Sequence, residues 1–164
     1  MKSTWVTPPS LAALLLVFAC SAREQIPPPN AAADLGGTSW QLVKFQGSDD
    51  KTLAPDDKAK YTIQFSTDGG LTARIDCNRG RGAWKSSGAS QLQFGPLALT
   101  RAQCPPGSLH DQIVTHWDFI RSYIIKDGHL FLSLMADGGI YEFEPVSGSK
   151  PASPNSPVTI KGPV

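Results

Sequence analysis

The chain has 164 residues, enough for one ordinary domain and not two. Its 15 basic and 14 acidic residues leave a formal charge of +1, which argues against nucleic acid as the main partner. Fifteen Gly and 14 Pro without a Gly-x-y period exclude collagen, and three Cys leave an odd count to explain.

Residues 1–19 read as a secretion signal. Met1-Lys2 is a short positive start, and residues 11–19 form an uncharged apolar run. Such a run is too short to span a hydrocarbon core of about 30 Å at about 1.5 Å per helical residue. It has the length of a signal h-region. A buried core helix is the plainer alternative, opposed by the Pro/Ala-rich stretch that follows at once. Next, Val17-Phe18-Ala19-Cys20-Ser21 resembles a bacterial lipobox, with Phe18 bulkier than usual. That resemblance implies lipidation of Cys20, with several acyl chains on one residue. A single chain anchors only marginally, at about 0.8 kcal/mol per buried CH₂. With Ser rather than Asp at position 21, it also implies sorting to the outer membrane, on the periplasmic side. Plain secretion with cleavage near Ala22 is the alternative.

Residues 20–34 then form a tether. Pro27-Pro28-Pro29 favours an extended polyproline spacer of about 3.1 Å per residue. At the other end, residues 146–164 are rich in Pro and Ser and almost free of apolar side chains, which predicts a disordered tail. Only five of the 14 prolines fall within residues 35–145, so that span is the expected domain. Deleting Lys2 with the signal leaves 14 charges of each sign, so a lipid rather than charge would hold the mature protein to a membrane.

The span 35–145 carries strand periodicity. Residues 39–45 are apolar at Trp40, Leu42, Val43 and Phe45, and the phase slip between Leu42 and Val43 predicts a bulge or an end of pairing. Tyr61, Ile63 and Phe65 alternate with polar residues. Asp68-Gly69-Gly70 supplies a turn, and Leu71, Ala73, Ile75 and Cys77 continue the inward face, with Arg74 and Asp76 outward. Residues 82–85, 91–94 and 97–99 are weaker strand candidates. A helix begins near Ser108, which with Asp111 resembles a capping box. Leu109, Ile113, Trp117 and Ile120 form its apolar stripe, expected to pack on the sheet. Residues 123–126 and 130–135 pair across Asp127-Gly128, and Asp137-Gly138-Gly139 turns into 140–144. The expected fold is mainly β: a small antiparallel sheet, closed or nearly closed into a barrel, with one packed helix covering an open side or end.

Three spaced motifs then carry a family resemblance. Leu35-Gly36-Gly37-Thr38-Ser39-Trp40 resembles the opening of a META, or HslJ-like, domain. Cys77-Asn78 followed by Gly82 and Trp84 is similar to its central signature, and Thr100-Arg101-Ala102-Gln103-Cys104 to its Thr-Arg-x-x-Cys segment. The motif residues are thus Trp40, Cys77, Asn78, Gly82, Thr100, Arg101 and Cys104. Asp76 stands where the family usually has Gly, and Trp84 where Tyr is commoner. The resemblance covers residues 35–145. It implies a small β-barrel-like domain in bacterial envelope lipoproteins, linked with stress and antibiotic resistance. It brings no enzymatic activity.

If Cys20 is lipidated, Cys77 and Cys104 remain as a pair in an oxidising compartment. Two readings stay open: a disulfide, or two reduced cysteines packed as small apolar residues. A bridge would close a 28-residue loop counting both ends, worth about 3.5 kcal/mol on the chain-entropy model. No paired Cys-x-x-Cys points to a metal, and no cofactor is expected. Residues 78–82 read as a surface turn with Asn78 as turn former; Arg79 and Arg81 could instead contact an anionic ligand. Arg101 is expected to pair with an acidic residue. His116 is read as helix surface. No His-Glu-x-x-His or Gly-x-Ser-x-Gly motif occurs, so no enzyme is expected. The expected function is that of a monomeric accessory domain acting through an unidentified envelope protein. A small-molecule binder using the barrel mouth or interior is the alternative.

Overall fold

The computed structural model describes residues 35–88 and 90–149. The signal segment, Cys20, the tether and residues 150–164 lie outside that span. Ten strands follow in chain order: β1 Thr38–Gln46, β2 Thr52–Leu53, β3 Tyr61–Phe65, β4 Gly70–Ile75, β5 Asn78–Lys85, β6 Gln93–Phe94, β7 Ala98–Leu99, β8 Ile120–Lys126, β9 His129–Leu134 and β10 Ile140–Pro145. One helix, α1 His110–His116, runs into a 3₁₀ turn at Trp117–Phe119.

Strand order is β6-β5-β4-β3-β1-β10-β9-β8, antiparallel throughout, with β2 on β1 and β7 on β5. The two ends of this path meet. Gln91 bridges Ser122, Leu92 N–H donates to the Arg121 carbonyl at 2.9 Å, and Tyr123 N–H donates to the Ser90 carbonyl at 2.9 Å. The sheet is therefore a nearly closed barrel, sealed by a short seam. Closure removes the open edges that would otherwise offer unpaired backbone to another chain.

The local signals produce the elements they predict where the interaction is local. In β1 the register against β10 shifts between Leu42 and Lys44, so Val43 is the extra residue and Phe45 regains the inward face. Asp127 and Gly128 both have positive φ, 52° and 79°, the two-residue hairpin turn whose twist matches its strands. Alternation places Tyr61, Ile63, Phe65, Leu71, Ala73 and Ile75 inside. The aromatic side chains fill the barrel: Trp40 is wholly buried, Phe94 stacks on Trp117 at 4.5 Å, and Trp84 meets Phe65 edge-on at 5.3 Å.

The apolar stripe packs inward, but the helix is shorter than the stripe: Leu109 precedes α1, Trp117 lies in the 3₁₀ turn and Ile120 opens β8. Ile113 and Trp117 face Leu42, Tyr61, Leu132 and Tyr141 across a residual space of only about 20 Å³. The start of the helix differs from expectation. Ser108 Oγ accepts from His110 N at 3.1 Å, but Leu109 occupies the cap position and Asp111 returns no capping bond.

Several strand boundaries move. β4 ends at Ile75, so Cys77 lies in the turn rather than on an inward strand face. Asp76 points into the protein, 5% exposed, not outward. It adopts φ 55°, in the left-handed region that favours Gly. Residues 78–82 are strand, not surface turn. Past β10, Val146 N–H and Ser149 Oγ donate to the Ser39 carbonyl at 3.0 and 3.1 Å, so the chain stays tied to β1 through residue 149.

Candidate functional site

The motif residues converge at one corner of the barrel. Cys77 and Cys104 form a disulfide, with Cα atoms 5.4 Å apart. Beside it Asn78 is 1% exposed, and its amide binds a distant segment. Nδ2 donates to the Ala102 carbonyl at 2.9 Å. Oδ1 accepts from Thr100 Oγ1 and Ala102 N, each at 2.8 Å. Thr100 Oγ1 in turn accepts from Arg79 N at 3.0 Å, and Thr100 N donates to the Arg79 carbonyl at 2.9 Å. Asn78 is therefore not a simple turn former; it joins the start of β5 to the segment after β7, 22–24 residues later. Amide geometry explains the residue type, since only Asn or Gln offers a donor and a double acceptor on one planar group.

The opening motif is likewise structural. Trp40 Nε1 donates to Thr38 Oγ1 at 2.7 Å, and Thr38 Oγ1 donates to the Leu35 carbonyl at 2.6 Å. This satisfies the indole N–H of a wholly buried ring, which would otherwise be costly to desolvate.

Gly80 and Gly82 have a packing role. A Cβ on Gly80 would lie 2.8 Å from Leu99 Cδ2 and 3.0 Å from Leu97. On Gly82 it would meet the Pro96 carbonyl at 3.0 Å. Glycine inward lets Leu97 and Leu99 cover the inner face of β5. The alternation then puts Arg79 and Arg81 together on the outer face.

There they join Arg74, directly opposite Arg79 on β4, in an open groove of about 790 Å³. Thr62, Gln64 and Thr72 line its floor, with Ala98–Thr100 along one wall and Ser39 and Val146 at the other. Arg74 is pinned by Nε to the Asp76 carbonyl at 3.2 Å and by Nη1 to the Ala59 carbonyl at 3.1 Å. Arg101 is exposed and makes no ion pair among the described residues, contrary to the expected acidic partner.

Other polar pairs lie along β1, β9 and β10. Glu144 accepts from Lys58 Nζ at 2.9 Å and from Gln41 Nε2 at 2.7 Å, and these bonds hold its carboxyl below the usual range. Glu142 joins Lys44 at 3.3 Å and His129 at 2.8 Å. His116 is not helix surface. Its Nδ1 is 2.8 Å from the Tyr141 hydroxyl and its ring lies 5.1 Å from Phe45. Burial pushes the His116 pKa down from 6.5 and the Tyr141 phenol up. Among the described residues no cluster of three His, Cys, Asp or Glu could hold a metal. No described helix is long and apolar enough to cross a membrane.

Sequence reasoning named Arg79 and Arg81 but missed Arg74 as their neighbour. Period-2 counting through residues 78–82 would have found it, because Arg74 already faced outward on the adjacent strand.

Comparison with known proteins agrees with this architecture. The solved NMR structure of a protein from Burkholderia xenovorans superposes with TM-score 0.60 at 22% identity, covering 86% of this chain and 99% of that one. A crystal structure of a DUF4847 family protein from Bacteroides vulgatus superposes with TM-score 0.50 at 16% identity, covering 67% and 93%. At such identities the likeness establishes the fold alone. No curated protein matches the sequence. The META domain family model matches residues 33–150, which includes the disulfide, the Asn78 clamp and the buried Trp40. With that match over well more than half its length, the chain belongs to the META domain family.

Proposed function

We propose that this protein is a non-enzymatic accessory domain of the bacterial envelope, anchored by lipid on Cys20 at the periplasmic face of the outer membrane. It acts there through a protein partner, in envelope stress or antibiotic tolerance. The observation that supports a surface role is the filled interior. The space between the helix and Leu42, Tyr61, Leu132 and Tyr141 is about 20 Å³, the scale of one water, against the several hundred ångströms cubed of a ligand pocket. That narrow space favours a surface role over a small molecule held within the barrel.

The outer face of β8–β10 offers contact instead. Ile124 is 45% exposed and Ile140 46% exposed, and half-buried Phe131 lies directly opposite Ile124. Around them stand His129, Glu142 and Lys44, a polar rim to an apolar centre.

The test combines anchoring and contact in the source cell. Cys20→Ala should release the protein from the membrane fraction; retention there removes the lipid anchor. A photocrosslinker at Ile124 should give one adduct of defined mass that is absent with the probe at Lys85. That adduct should weaken at least several-fold in Ile140→Ser. Equal labelling at both positions, or none at Ile124, overturns the partner surface.

A further inference from the structure

The outer face of β3–β5 carries positive charge in an arrangement that the fold does not need. Arg74 and Arg79 are directly opposite across β4 and β5, and like charges in that register oppose pairing. Arg81 stands two residues along β5 on the same face, about 7 Å away at strand spacing. No carboxylate lines the groove. Following the cross-strand row from Arg79 through Arg74, Thr62 and Gln41, the first acidic residue reached is Glu144, already bound to Lys58. Among the described residues, neither the Arg79 nor the Arg81 guanidinium has a hydrogen-bond or ion-pair partner.

The groove is also held ready. Arg74 is fixed by two backbone carbonyls. The backbone of Arg79 is bonded in both directions to Thr100, which Asn78 holds beside the Cys77–Cys104 bridge. Thr62 and Thr72 add hydroxyls to the floor, and Gln64 an amide whose oxygen lies 3.3 Å from Thr72 Oγ1. A volume of about 790 Å³ is within the range of small-ligand sites.

From this juxtaposition we infer that the groove binds a small soluble polyanion. One phosphate or carboxylate group would sit between Arg74 and Arg79 and a second at Arg81. Guanidinium pairs recognise such oxyanions through paired N–H donors, with hydroxyls completing the shell. The inference is independent of the proposed partner surface, which lies on β8–β10.

The experiment uses full-length protein in neutral detergent micelles at fixed ionic strength. Pyrophosphate and citrate are titrated separately, and backbone amide shifts are followed by NMR. At least one probe should give saturable shifts centred on Thr72, Arg79 and Arg81. Affinity should fall about tenfold or more in Arg79→Gln/Arg81→Gln. Arg81→Lys should keep part of the binding, because charge remains while the planar fork is lost. Unchanged amide dispersion of the variants shows that they fold, and Arg81→Gln alone replaces the double variant if it does not. Two results overturn the inference. One is the absence of saturable shifts with either probe, or shifts equal in wild type and variant. The other is binding only to phosphatidylglycerol vesicles, which would make the face a lipid contact.

Discussion

At the scale of single residues, Asn78 is the most demanding position in the chain. Its amide satisfies one carbonyl, one hydroxyl and one backbone N–H in a site closed to solvent. Asn78→Ala would leave the Ala102 N–H and carbonyl without these partners, at a cost of about 2–4 kcal/mol. Urea unfolding should show that loss as a lowered midpoint with the slope unchanged. Asn78→Asp should cost more, because it turns the donor into a buried charge facing a carbonyl. Asp76 shows the opposite case, a departure from the family pattern that the backbone tolerates. Asp is among the few non-glycine residues that visit left-handed angles, and here it takes φ 55°.

At the scale of elements, α1 is short, and its placement depends on its last turn. His116 bonds Tyr141 of β10, while Trp117 Nε1 donates to the Gly95 carbonyl at 3.2 Å. Burial disfavours the imidazolium, so the folded pKa of His116 lies below 6.5. The unfolded chain then binds the proton more readily as pH falls. This contribution to stability is therefore complete above pH 6.5 and is lost as pH drops through the folded value. Thermal unfolding between pH 7.5 and 5 should show a falling midpoint, with a shallower fall in His116→Gln. An equal slope in that variant would assign the pH dependence to other groups. The stripe made a helix legible, though only Ile113 of its four residues lies in α1, with Trp117 in the 3₁₀ turn and Ile120 in β8. The first residue of the helix was not legible. Ser108 does bond a backbone N–H, but two positions on rather than three, and the Leu109 N–H between them goes to the Tyr61 hydroxyl at 3.0 Å.

At the scale of the whole molecule, two unequal ties hold the barrel together. The β6–β8 seam rests on a single bridge and two flanking backbone bonds. The Cys77–Cys104 corner is covalent and spans 27 positions. Reduction should destabilise the domain by about 3.5 kcal/mol on the chain-entropy model. The check is denaturant unfolding with and without reductant. An unchanged midpoint would mean that the Asn78 clamp holds the corner alone. In a domain of this size a loss of that order is a large share of the total stability.

Having left open the Cys77–Cys104 bridge that the structure shows, the sequence by itself determined the hairpins, the β1 phase slip and the helix face. Each rests on an interaction a few residues long or on simple counting. Alternation, a Gly-rich turn and an apolar stripe act through neighbours along the chain, so they can be read in order. Only the tertiary structure decided what the Asn78–Gly82 stretch is. Two glycines and an asparagine there have the composition of a turn. They form a strand because Leu97 and Leu99 fill the space left by glycine, and because Ala102 and Thr100 complete the Asn78 amide. Those partners lie 15 or more residues away, beyond the reach of any local pattern. The same folding step brings Arg74, Arg79 and Arg81 onto one face, and so creates the charged groove that a near-neutral composition conceals.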